Sequence, residues 1–180
     1  MSKQKGNPAS RIQDLQFFGE FGGVNPSIAD SSTFTYLAGK TMGDVFEGTR
    51  EGCYLYSRHT NPSTSYLGKA IAEMEYMKGA ILAASGMGAI TSSLLQLCNS
   101  GDEIISSRTI YGGTYAFLRN YLPKFNIKTK FVNATNLVQI ENAITHKTKV
   151  IYCETMSNPL LEISDITAIS VLAKEHKIKL

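Results

Sequence analysis

Four short runs in this 180-residue chain carry residue types that can hold an anion or an aromatic ring. In Ser85-Gly86-Met87-Gly88-Ala89, small residues stand between an apolar run and a helical pattern. There, free backbone N–H groups and the positive end of a helix can receive a phosphate. The run has neither the Gly-Lys-Ser/Thr ending of a Walker A loop nor the spacing of a dinucleotide fingerprint. Tyr56-Ser57-Arg58 sets a guanidinium fork beside a phenol hydroxyl, a pair suited to phosphate oxygens. Tyr111-Gly112-Gly113-Thr114 offers a ring that can stack on a flat aromatic ligand. Glu154-Thr155-Met156-Ser157-Asn158-Pro159 presents an asparagine, held before a proline, whose amide can meet a carboxylate or a ring hydroxyl. Each run alone also fits a plain turn or a solvated surface residue. Together they describe one anionic, aromatic ligand.

The elements before these runs have to deliver them to one place. Residues 1–55 show no sustained period, are broken by Gly19, Gly22, Gly23 and Pro26, and predict an extended arm with two short helical pieces at most. From Asn61 the pattern changes. Pro62 suits a first helical turn, Leu67, Ile71, Met74 and Met77 recur at three- and four-residue intervals, and Gly79 follows as a stop. Beyond it, short apolar runs alternate with helical patterns. Strands are expected at 80–84, 103–106, 128–132 and 150–153, with a further one starting at 178–180. Helices are expected to about Cys98, to about Tyr121 before Pro123, from about Asn136 to Ile144, and from a cap near Ser164 or Asp165. Strands separated by helices need crossover connections, which favour a mostly parallel sheet with helices on both faces. The expected class is α/β, with residues 1–55 as the arm and 56–180 as the first part of a larger domain. Because 178–180 reads as a strand just beginning, the chain is expected to be truncated at residue 180. The ends of such strands form the rim where open α/β sheets hold ligands.

Composition narrows the classes. With 43% hydrophobic and 18% charged residues, and a formal charge of +3 without any block of like charge, nothing calls for nucleic acid or a membrane surface. The polar start lacks the apolar stretch of a secretory signal, and no run approaches the ~20 residues of a membrane span. Cys53, Cys98 and Cys153 are odd in number and widely spaced, so neither a disulfide framework nor a zinc site is suggested. They are expected to be buried as small apolar residues in a reducing cytoplasm. His146 and His176 read as surface residues; His59, beside Arg58, can point inward. No metal site is expected.

The runs resemble, in order and spacing from about residue 20 onward, the Cys/Met-metabolism family of pyridoxal-phosphate enzymes. The matching stretches begin at Asn25-Pro-Ser-Ile-Ala-Asp-Ser-Ser-Thr-Phe34 and Tyr56-Ser-Arg-His-Thr-Asn-Pro62. They continue through Ser85-Gly-Met87, Gly101-Asp-Glu103, Tyr111-Gly-Gly-Thr114 and Glu154-Thr-Met-Ser-Asn-Pro159. The resemblance implies pyridoxal 5'-phosphate as cofactor and the large domain of the fold type I transferases. It implies that Ser85, Gly86 and Met87 hold the cofactor phosphate, and that Tyr111 stacks on the pyridine and serves as the acid at the leaving group. Tyr56 and Arg58 would reach the phosphate in a neighbouring subunit, so the protein would be a homodimer or homotetramer with shared sites. Asn158 would contact cofactor and substrate carboxylate, with Glu154 a motif neighbour.

The resemblance also places the Schiff-base lysine and the aspartate that pairs with the pyridine nitrogen after Leu180, so the piece ending there would be inactive. The implied reaction is α,γ-elimination on a sulfur-containing amino acid, with γ-replacement in transsulfuration as the alternative. Methionine γ-lyases of this family usually carry a cysteine where Gly113 stands, and Met156 and Ser157 depart from commoner proline- or alanine-bearing loops. Two other classes remain: a non-catalytic α/β scaffold domain, and a Rossmann dehydrogenase, which the missing glycine fingerprint disfavours.

Overall fold

The structure, a computed structural model, describes residues 7–13, 15, 19–35, 38–50 and 52–180. It divides into two compact units, Met1–Leu82 and Ala83–Leu180. In the second unit helices and strands alternate: α4 (Gly86–Leu97), β1 (Glu103–Ser107), α5 (Gly112–Ala116), β2 (Lys128–Val132), α6 (Leu137–Ala143), β3 (Thr148–Tyr152) and α7 (Ile166–Glu175). The strands form a parallel sheet in the order β2-β1-β3. Lys179 adds a parallel bridge to Val150, where a strand was expected to begin.

Side-chain alternation along the central strand explains the layering. Ile104 points to one face and joins Leu94 of α4 and Cys98 just after it with Leu118, Leu122, Ile127 and Val150. Ile105 points to the other and joins Ile140 of α6, Ile151, and Ile169 and Ala173 of α7. Period-two alternation on a strand buried from both sides demands helices on both faces. Short polar caps start these helices: the side chains of Ser85, Asn136 and Asp165 accept from the backbone N–H of Gly88, Gln139 and Ala168.

Some expectations about elements and burial need correction. The expected strand over 80–84 does not form: among the described residues no strand pairs with it, and Ile81 is 98% exposed. An apolar run becomes a strand only when a neighbour takes its backbone groups. The helix expected to reach Tyr121 is compound. The α-helical turns end at Ala116, a π turn follows over Phe117–Tyr121, and a 3-10 turn over Leu122–Phe125 takes Pro123 into its first turn, where no N–H is needed. The cysteines are not all buried. Cys98 is buried and Cys153 half-buried, but Cys53 is exposed.

In the first unit α3 (Pro62–Met74) starts at the expected asparagine and proline, with Asn61 accepting from Ser63 N–H at 2.8 Å. The stretch before it holds α1 (Pro8–Gln13), α2 (Met42–Phe46) and two 3-10 turns, more helical pieces than the two foreseen. Residues 31–34 run beside 55–57: Phe34 N–H donates to Leu55 O at 3.2 Å and Ser57 N–H to Ser32 O at 2.9 Å.

Burial and charge in the sheet give two tests. Ile104 is fully buried, so Ile104→Ala should destabilise by about 2–5 kcal/mol in denaturant unfolding. Glu103 is held below the usual carboxylate range by Lys130, 2.9 Å away, and by Thr145. A depressed carboxylate stabilises the fold above its unfolded pKa, and that contribution is lost as pH falls through the folded pKa. Glu103→Gln should therefore lower stability at neutral pH and flatten its decline on acidification; parallel pH curves for variant and parent would refute the pairing.

Candidate active site

The rim of the second unit is built where α4 and α5 begin and where β3 ends. Ser85, extended at φ −154°, caps α4, and its Oγ accepts from Gly88 N–H at 3.0 Å. Ala89 N–H closes the first full turn on Ser85 O at 3.0 Å. The N–H groups of Gly86 and Met87 lie before the first intrahelical acceptor and stay open, as the geometry of a helix start requires. A Cβ added at Gly86 would meet nothing within 4 Å, so there is room for a ligand at this helix end. Ser85 still has its O–H to donate, because the bond it makes uses a lone pair.

Four positions converge around Met87 and Gly113. Thr114, fully buried, donates to Met87 Sδ at 3.7 Å. A Cβ at Gly113 would fall 2.5 Å from Tyr111 Cε1 and 3.3 Å from Met87 Sδ, so both side chains lie against that glycine. Tyr111 is 62% exposed, presenting its ring to solvent. Its backbone N–H donates to Glu154 Oε1 at 2.8 Å. Ser85, Gly86, Met87 and Tyr111 thus stand on the starts of two helices tied by the Met87, Gly113 and Thr114 contacts.

Asn158 lies exposed four residues beyond Glu154, joined by a cis bond to Pro159. Buried Ser157 closes this loop: Glu162 N–H donates to its Oγ at 3.1 Å, and Ser157 N–H donates to Glu162 O at 2.9 Å.

In the first unit the Arg58 guanidinium lies over the Tyr56 ring, 4.9 Å from its centroid. Among the described residues no carboxylate pairs with Arg58, which lines a cleft of about 250 Å3 with Ser57, His59 and Thr64. His59, His146 and His176 are all exposed. Among the described residues no group of three or more His, Cys, Asp or Glu is placed to hold a metal.

Electrostatics disfavours Cys98 and Cys153 as nucleophiles. Burial, reinforced by Asp102, pushes the Cys98 thiol up to about 11, and burial with Glu154 raises Cys153. Burial is also the main cause that raises Tyr152, with Glu154 adding to it. Sequence reasoning missed Tyr152, Thr114 as a contact, and Glu162. The threonine's place directly after two glycines is the one sequence signal that could have flagged it.

Solved structures give the same fold. An O-acetylhomoserine (thiol)-lyase from Campylobacter jejuni, carrying a pyridoxyl-lysine phosphate, superposes with a TM-score of 0.87 at 30% identity, covering 96% of this chain and 43% of that one. A cystathionine γ-lyase from Lactobacillus plantarum gives 0.81 at 31% identity, with the same coverages of 96% and 43%. The fold is therefore that of the type I pyridoxal-phosphate enzymes. Residues 11–180 match the family of Cys/Met metabolism PLP-dependent enzymes, and the chain belongs to it. Among curated relatives, a methionine γ-lyase from Arabidopsis thaliana is 42% identical over 175 residues, 94% of this chain and 40% of that protein. The chain thus spans about two fifths of the length of the curated relatives it matches. The family's cofactor is pyridoxal phosphate, and the open helix end with its adjoining exposed ring fits both the anionic and the flat part of that molecule.

The crowding at Gly113 is a test of the ring's seat. Gly113→Ala should leave stability unchanged or raise it by up to about 1 kcal/mol, because alanine favours a helix. It should also displace the Tyr111 ring and weaken cofactor binding. Unchanged cofactor affinity in equilibrium titration would show that the ring does not depend on the glycine.

Proposed function

We infer that the full-length polypeptide is a pyridoxal-phosphate-dependent lyase that removes the γ-sulfur substituent of an amino acid such as methionine or cystathionine. The observation that supports this most is the open start of α4 beside the exposed Tyr111 ring, in a chain whose family works on cysteine and methionine. When bound, the cofactor supplies an electron sink that lets protons leave the substrate carbon chain and the γ-substituent depart.

The chain's own residues then have distinct tasks. Gly86 and Met87 donate backbone N–H to the phosphate, aided by the helix dipole and the Ser85 hydroxyl. Tyr111 lies against the pyridine ring and gives its phenolic proton to the departing sulfur. Asn158 directs its amide to the substrate carboxylate and the cofactor. Tyr56 and Arg58 serve the phosphate of a neighbouring subunit. Arg58's lack of a carboxylate partner among the described residues supports this, since its charge is free for an anion. The assembly is then a homodimer or homotetramer, with residues 1–55 as the arm between subunits and 56–180 as the first part of the cofactor domain. Three unpaired cysteines support a cytoplasmic site of action, and no described helix is long and apolar enough to cross a membrane.

The test uses the full-length polypeptide, purified with excess cofactor and incubated separately with methionine, cystathionine, and O-acylhomoserine plus cysteine. Methanethiol, or 2-oxobutanoate from a single substrate, is the expected product. Cystathionine formation would establish γ-replacement instead, and a protein that binds no cofactor would be a scaffold. Arg58→Ala should weaken cofactor binding roughly ten- to a hundredfold, the value of a charge-assisted bond. Unaltered affinity would remove Arg58 from the site.

A further inference from the structure

The loop after β1, residues 108–111, and the loop after β3, residues 153–165, leave neighbouring parallel strands. Two carboxylates of the second loop hold the first. Glu154 Oε1 accepts from the Tyr111 backbone N–H at 2.8 Å. Glu162 Oε2 accepts from Thr109 Oγ1 at 2.8 Å, and its Oε1 lies 3.7 Å from Arg108 Nη2. Tyr111 needs such a partner. It is the N-cap of a five-residue helix, makes no side-chain capping bond, and its carbonyl already accepts from Tyr115 N–H at 2.9 Å. With Glu154 on the amide and the helix on the carbonyl, the Tyr111 backbone is fixed on both sides. Its Cα–Cβ direction is then fixed too, and from that starting point the ring lies against Gly113.

We propose that Glu154 is a positioning residue: its side-chain oxygen, acting as a hydrogen-bond acceptor at a set reach, holds the Tyr111 ring where cofactor and substrate meet it. The proposal rests on the reading of Tyr111 given above. Its physical content is reach and acceptance, independent of charge. Glutamine keeps an acceptor oxygen at the same distance, aspartate keeps the charge one methylene short, and alanine keeps neither.

The experiment compares Glu154→Gln, Glu154→Asp and Glu154→Ala in the full-length protein. Three readouts are taken: amide hydrogen exchange over residues 108–116 without cofactor, visible circular dichroism of the bound cofactor, and kcat against KM. Glu154→Ala and Glu154→Asp should exchange faster over that segment, lose the dichroic band that a fixed ring imposes, and lose roughly a hundredfold in kcat. KM should change little. Glu154→Gln should restore all three to near the parent values, and if Glu154→Ala does not fold, the aspartate and glutamine pair decides. Glutamine failing while aspartate succeeds overturns the proposal, because charge would then be what counts. Parent-like exchange and dichroism in Glu154→Asp also overturn it. A parent protein that binds no cofactor defeats the functional reading instead, while the exchange data still judge the Glu154 contact.

Discussion

Everything on the rim depends on β1 being paired by a parallel strand on each side. Its backbone groups are spent in two ladders, so its side chains alone decide what covers it, and Ile104 and Ile105 in succession are both fully buried. One apolar face would leave half the strand wet. Two require a helix layer each, and parallel strands then end on a common edge. The loop with Tyr111 and the loop with Glu154 and Asn158 are neighbours for that reason, although 43 residues separate the two partners of the Tyr111 to Glu154 bond.

How much of this the sequence carried follows from what each residue needs. Elements with local signals were legible: the Asn136 cap and the helix after it lie where the pattern puts them, and the run from Lys128 to Val132 does so because β1 is there to pair it. The same holds for α3, whose Asn61-Pro62 start is a local signal. Residues 80–84 were misread because strand formation is a relation between two segments, and apolar composition specifies only one of them. Likewise the break at Phe117 is invisible in a continuous apolar period, since a π turn changes hydrogen-bond partners without changing which residues are buried.

The site divides along the same line. Helix starts are written locally, as Ser85 before Gly86 or two glycines after Tyr111. Bonds between loops are not, so Glu154 looked like a motif neighbour of Asn158 when its nearest partner is the Tyr111 amide. Ser157 shows the same effect. It departs from the commoner loop, and the structure has its hydroxyl oxygen accept from Glu162 N–H inside the loop. A small residue without that hydroxyl would leave the bond unmade, so the serine belongs to the loop's closure.

The stretch from Tyr56 to Pro62 reads as one motif yet contains two physically different sets of residues. Asn61 is buried and fully employed: its amide donates to Ala29 O and Ser57 Oγ at 3.0 Å each, while its oxygen accepts from Ser63 N–H. It stitches the segment around Ala29 to the start of α3, and an unmet amide there would carry the full cost of burial. Arg58, three residues earlier, is exposed and rests on the Tyr56 ring, with no carboxylate partner among the described residues. A guanidinium in that state loses little by leaving water for an anion, because its stem and plane are already ordered by the ring. A motif of this kind is kept together by two demands at once. The buried asparagine secures the backbone, and the secured backbone carries the exposed guanidinium resting on the Tyr56 ring.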